Sequence, residues 1–148
     1  QFGATGPKFK LLFDKPSFGG PVPRPHTSPP AAHELFGYAV HHALRARFCI
    51  ERNRLWQAEY WISGVRDGTL ALACRRHGLP AYYGRGYDAL PAAVLAAMSG
   101  ALVRSLERAE LLRALRCAVD GLLTEADEVR ELAAKVEPEL RELVKKWE

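Results

Sequence analysis

At 148 residues the chain has room for one hydrophobic core and not for two full domains. Its net charge of +4 admits an anionic partner such as a nucleotide, but a nucleic-acid reader usually concentrates more charge on one face, so a nucleic-acid partner is not expected. No apolar run approaches the length of a membrane span and no signal-peptide pattern opens the chain, which places it in the cytoplasm without membrane contact. Cys49, Cys74 and Cys117 are widely spaced within apolar helical patterns. Without CxxC, HExxH or a Cys/His cluster at zinc spacing, they read as free thiols of a reducing compartment, and no metal is held by this chain alone.

In chain order, Gln1 to Asp14 carries the short apolar run Lys8-Phe9-Lys10-Leu11-Leu12-Phe13, a strand or a single helical turn that periodicity does not decide. A lone strand has no later partner, and the chain opens on Gln1 rather than Met. Both features read as a piece of a longer protein, although processing leaves the same start. Pro16 to Pro30, with Gly19-Gly20, Pro21, Pro23, Pro25 and Pro29-Pro30, reads as an extended, semi-rigid connector. Residues 1–30 are therefore expected to be the end of a missing core plus a proline-rich linker, and residues 31–148 a helical domain.

Helix one is expected from just after Pro30 to about Asn53, and helix two from Leu55 to about His77, stopped by Gly78 and Pro80. Ala81 to Leu90 reads as a loop, in which Gly84-Arg85-Gly86 is too short to cradle a phosphate. Helix three is expected from Pro91 to about Leu106. Helix four is expected over Glu107 to Val129, with Leu111, Leu115, Val119 and Leu122 on one face, and Val129 to Val136 as its continuation. Pro138 is expected to break or kink the helix before a last segment, Glu139 to Trp147. The fold class is all-α: an up-and-down bundle of four to five helices preceded by an extended proline-rich N-terminal arm.

The first two helices carry the polar chemistry. Phe36, Val40, Ala43, Leu44, Phe48 and Ile50 keep an apolar stripe on helix one, with His41, His42, Arg45 and Arg52 on another face. In helix two, Trp61, Val65, Leu72 and Ala73 fall on one side and Glu59, Ser63 and Arg66 on another. His41 and His42 point about 100° apart, so one packs while the other faces solvent. Ser63, Ser99 and Ser105 have no elbow motif, which disfavours a hydrolase. Glu51, among Arg47, Arg52 and Arg54 and beside Trp56, is the candidate general base. The competing reading is a plain Arg47–Glu51 pair four residues apart.

Phe48 to Asp67 (FCIERNRLWQAEYWISGVRD), together with Gly84 to Pro91 (GRGYDALP), resembles the helical C-terminal half of kanamycin-type aminoglycoside nucleotidyltransferases of the polymerase-beta-like superfamily. Phe2-Gly3-Ala4 through Phe13 is similar to the segment that leaves the catalytic core in their relatives. The resemblance implies an N-terminal core whose Gly-Ser motif and paired aspartates bind magnesium and a nucleoside triphosphate. It also implies a C-terminal bundle that closes the cleft and holds the acceptor. Glu51, five residues before Trp56, matches the family's base on the acceptor hydroxyl. Leu55 stands where the family has a lysine, so Arg52 or Arg54 is expected to bind the nucleotide.

The expected function is thus the acceptor-binding, cleft-closing domain of a nucleotidyltransferase that moves a nucleotide, AMP first, onto a hydroxyl of an aminoglycoside-like, small cationic acceptor. Trp56, Glu59, Tyr60, Arg66, Asp67, Tyr87 and Asp88 are the expected acceptor contacts. Asp14, Asp67, Asp88, Asp120 and Asp127 never form an Asp-x-Asp pair, so magnesium and triphosphate belong to the N-terminal nucleotidyltransferase core, and this stretch alone is expected to be inactive. Pairing of two bundles into a homodimer stays open. The alternative is a non-catalytic helical partner of a toxin–antitoxin-type nucleotidyltransferase pair.

Overall fold

A computed structural model describes residues 30–145. The expected strand or turn at Lys8 to Phe13, the proline-rich arm and Trp147 lie outside the described residues. Within them the secondary structure is helical: α1 (Ala32–Glu51), α2 (Leu55–Arg76), α3 (Ala92–Ser99), α4 (Arg108–Thr124) and α5 (Arg130–Leu143), with 3-10 turns at Tyr87–Ala89 and Asp127–Val129.

The first two helices stop where local chemistry stops them. Asn53 takes a left-handed φ of 56° beyond the end of α1, Arg54 N–H donates to Cys49 O at 2.8 Å, and Asn53 N–H donates to Ile50 O at 3.2 Å. These two bonds satisfy end carbonyls in a Schellman motif, with asparagine in the position glycine usually holds. Gly78, at φ 65°, closes α2 the same way, with Leu79 N–H on Cys74 O at 2.8 Å. At the start of α1, Ala31 offers no capping side chain, and the Glu34 carboxylate instead accepts the Ala31 N–H at 3.1 Å.

Small residues set how α1 and α2 meet. A side chain at Gly68 would come within 3.1 Å of Ala39 Cβ, and one at Gly64 would fall on the His42 ring. The two helices run in opposite senses along this seam, since Trp61 meets Arg45, Gly64 meets His42 and Gly68 meets Ala39. Against the pair packs α4, whose Leu111, Leu115, Val119 and Leu122 are fully buried with Phe36, Ile50, Ile62, Val65 and Leu72. Each such side chain contributes about 1.5–3 kcal/mol by leaving water. Leu140 and Val144 close the core from the C-terminal end. Thr69, also fully buried, donates its hydroxyl to Val65 O at 2.9 Å and so needs no outside partner.

Four expectations are corrected. Helix three ends at Ser99 instead of continuing to Leu106, because α4 claims the following backbone. Arg113 donates to Gly100 O at 2.6 Å and Leu102 O at 3.0 Å, and Glu110 accepts the Arg104 N–H at 3.0 Å. Helix four stops at Thr124. Beyond it, Arg76 of α2 draws in both Glu125 and Asp127, while Arg75 holds Glu128. Those cross-chain ion pairs turn residues 125–129 away from the helix axis. Of the break or kink expected at Pro138, the break does not occur: α5 runs through it, with the Glu137–Arg141 pair at 2.7 Å spanning it and Ala133 and Leu140 buried on either side. Leu44 and Phe48, expected in the buried stripe of α1, are exposed.

Candidate functional site

The α2 helix carries most of the expected contact residues on one strip. Steps of four, three and four place Trp56, Tyr60, Ser63 and Asp67 along one side, with Glu59 beside them. Trp56 and Tyr60 are open to solvent, 79% and 65% exposed. Ser63 donates its hydroxyl to Glu59 Oε1 at 2.8 Å, which holds the carboxylate along the helix rather than reaching outward.

At the far end of the strip three expected residues meet. Arg66 Nη2 lies 3.4 Å from Asp67 Oδ1, a loose pair, and the Tyr87 hydroxyl donates to the Asp67 carbonyl at 3.0 Å. Burial pushes the Tyr87 phenol up to about 12, and the Asp67 charge adds to it. Tyr87 therefore stays neutral at physiological pH and serves as a donor tie between the 3-10 turn and α2. Asp88, on the same turn, is exposed and makes no hydrogen bond or ion pair with Arg66, Asp67 or Tyr87.

Glu51 stands elsewhere. Its Oε1 accepts from Arg47 Nε at 3.0 Å, Arg47 Nη1 reaches across to Lys145 O at 2.9 Å, and Arg108 Nη2 donates to the Glu51 carbonyl at 3.2 Å. It therefore faces α4 and the end of α5, at the rim of a hollow of about 240 Å³ lined by Ile50, Glu51, Arg108 and Leu112. The structure thus separates the candidate base from the Trp56–Tyr87 strip. Arg52 and Arg54 flank Asn53 at the turn between α1 and α2. The Arg52 guanidinium sits 5.8 Å from the centre of the Phe48 ring.

Three features of the site were not singled out from sequence. Arg108 joins Glu51 only through tertiary packing and carries no local signal. Arg45 lies 5.2 Å from the Trp61 ring centre, and Tyr38 is 67% exposed on the same side of α1. For the histidines, the expectation that one packs and one faces solvent holds. His41 is exposed, while His42 tucks against Trp61 with ring centres 5.0 Å apart. Its Nδ1 and Trp61 Nε1 are both buried without a hydrogen bond, an unsatisfied pair at the α1–α2 seam.

Cys49 and Cys74 are buried and Cys117 is partly so; all three are free, and burial pushes the Cys74 thiol up, away from reactivity. Among the described residues no group of three or more His, Cys, Asp or Glu side chains is placed to hold a metal ion. No helix among them is long and apolar enough to cross a membrane. Compared with known proteins, the chain matches no family model, no curated protein and no solved structure.

Proposed function

We propose that the chain is the acceptor-binding, cleft-closing helical domain of a nucleotidyltransferase, acting with a polymerase-beta-like core on an aminoglycoside-like hydroxyl acceptor. In this reading the helices form an up-and-down bundle, residues 1–30 supply the end of the core and its proline-rich arm, and the protein works in the cytoplasm as an antibiotic-resistance transferase. The observation that carries it is the placement of Glu51. A carboxylate fixed in direction by Arg47 stands at the rim of a solvent-open hollow, with Arg108 beside it. A hydroxyl entering that hollow meets a proton acceptor, and the phosphate it is to attack meets a cation.

Magnesium and the triphosphate do not fit the donor set of the described residues, which offers no carboxylate cluster for them. Within this reading they belong to the core, and no step is drawn through them. The α2 strip supports the acceptor role: Trp56 and Tyr60 offer ring faces to a sugar, and the exposed Asp67 offers a carboxylate to an ammonium group. Arg52 and Arg54, at the turn, are the groups assigned to the nucleotide phosphates.

Glu51→Gln tests the base. Measured with the core present, turnover falls by about a hundredfold or more while circular dichroism is unchanged. Turnover within a few-fold of the parent removes Glu51 from the mechanism. The intact mass of the native protein tests the arrangement: a mass well above 16.4 kDa, with peptides preceding Gln1, fits a covalent core. A mass matching the chain favours the second reading, a non-catalytic helical partner of a separate nucleotidyltransferase. Tyr38 and Phe48, exposed on α1 and given no part in the acceptor site, favour that reading, since a binding module needs such a face.

A further inference from the structure

The outer face of the α1–α2 pair carries Tyr38, His41, Arg45 and Phe48, which the transferase reading does not use, beside Arg52 and Tyr60, which it does. Steps of three, four, three and four bring Tyr38, His41, Arg45, Phe48 and Arg52 onto one side of α1, over about 21 Å of helix. Trp61 joins this row to α2. Its ring centre lies 6.3 Å from that of His41, 5.2 Å from the Arg45 guanidinium carbon and 5.0 Å from the Tyr60 ring. The result is one continuous surface of rings and guanidinium groups, with Tyr38, Phe48 and Tyr60 all exposed.

The charge on this face is not neutralised. Elsewhere among the described residues six arginines are held by carboxylates, among them Arg76 by Glu125 and Asp127, Arg113 by Glu110 and Arg141 by Glu137, while Arg108 and Arg116 donate to backbone carbonyls. Among the described residues no carboxylate lies in ion-pair range of Arg45, Arg52 or Arg54. Glu51, adjacent to Arg52 in sequence, is taken by Arg47, and Glu34, one turn before Tyr38, is turned to the Ala31 N–H. The modest total charge hides this asymmetry. Between Glu107 and Glu142 ten acidic residues oppose six basic ones, whereas between Tyr38 and Trp61 four arginines oppose two glutamates.

From this juxtaposition we infer that the α1–α2 face binds single-stranded nucleic acid, with unpaired bases stacking on Tyr38, Phe48 and Tyr60 and phosphates meeting Arg45, Arg52 and Arg54. Exposed ring faces interleaved with free cations are what a flexible polyanion with flat bases requires, and every base offers a π face, so no sequence preference follows. A rigid duplex presents phosphates but hides its bases, and so meets only half of this surface. An acidic protein segment meets the cations and leaves the rings uncovered. The inference does not depend on nucleotidyl transfer, and its failure leaves that reading untouched.

The test uses the full chain and fluorescein-labelled oligouridylate and oligothymidylate about 15 nucleotides long, read by anisotropy. Binding of either or both is expected, and which of them binds tells whether the ribose hydroxyl takes part. A duplex of equal length is expected to bind about tenfold more weakly. Log affinity should fall against log salt with a slope of about −2, as three arginines on phosphate would give. Tyr38→Ala and Arg45→Ala, both at exposed positions, should each weaken binding about five- to tenfold, and Lys135→Ala on α5 should not. Tyr38→Leu, which keeps an apolar side chain and loses the ring, should match Tyr38→Ala. No anisotropy change, equal binding of duplex or polyglutamate, or parent-like affinity in the folded Tyr38 and Arg45 variants overturns the inference.

Discussion

Gly64→Ala tests whether the close approach of α1 and α2 is a constraint or an accident. Alanine is preferred over glycine in a helix interior by about 1 kcal/mol, so the substitution should stabilise α2 if nothing opposed it. The added methyl group, however, would fall on His42 Nδ1, with Cε1 3.0 Å and Cγ 3.2 Å away. The ring has little room to retreat, because Trp61 packs against it at 5.0 Å between centres. Overpacking of this kind costs about 1–3 kcal/mol, so the net effect should be a loss of about 1 kcal/mol. For a chain of this size that lowers Tm by about 3 °C. In a His42→Ala background the clash is gone and the same substitution should instead stabilise by about 1 kcal/mol. A double-mutant cycle read by urea unfolding therefore predicts a coupling of about 2 kcal/mol between positions 42 and 64. A stabilised Gly64→Ala single variant with additive double-mutant behaviour would refute the argument and show the seam to be slack.

Three further outcomes follow from the ion pairs and the tyrosine. Glu125 is 8% exposed, and Arg76 Nη2 meets its Oε2 at 2.9 Å as an ion-pair contact without hydrogen-bond alignment. Arg76→Ala should cost about 2 kcal/mol in urea unfolding by leaving a buried charge, less than a fully buried pair because Arg76 is partly exposed. Glu125→Gln in the same chain should recover most of the loss. Hydrogen bonding from Arg113 holds the Glu110 carboxyl well below its ordinary 4.5, at about 2. Its stabilising contribution is then complete above pH about 4.5 and lost as pH falls towards about 2, so the gap between parent and Glu110→Gln should close over that window. The Tyr87 phenol is raised from 10.0 to about 12, and its contribution is complete below pH 10.0 and lost as pH rises through about 12. Tyr87→Phe should remove that alkaline step from the unfolding profile and the matching late phenolate absorbance.

The parts of the fold legible in the sequence were those decided by neighbours along the chain. The stops at Asn53 and Gly78 follow from residues that accept left-handed backbone, and the α4 stripe follows from its spacing. What failed was decided by residues far apart in sequence. Nothing near Gly100 announces that Arg113 will take its carbonyl, and nothing near Glu125 announces Arg76. The α5 helix shows the same rule from the other side. Proline removes one N–H and costs about 3 kcal/mol in a helix interior, which predicts a break. Burial of Ala133, Leu140 and Val144 against the core offsets that cost, because each anchor loses its place if the helix ends early. The site divides in the same way. A strip along α2 is readable from steps of three and four. The Arg47 partner of Glu51, four residues away on α1, is readable too, whereas the Arg108 bond to the Glu51 carbonyl from α4 is not. Exposure of Phe48 is the most informative miss: periodicity marks it as core, yet its ring is 47% exposed with the Arg52 guanidinium beside it.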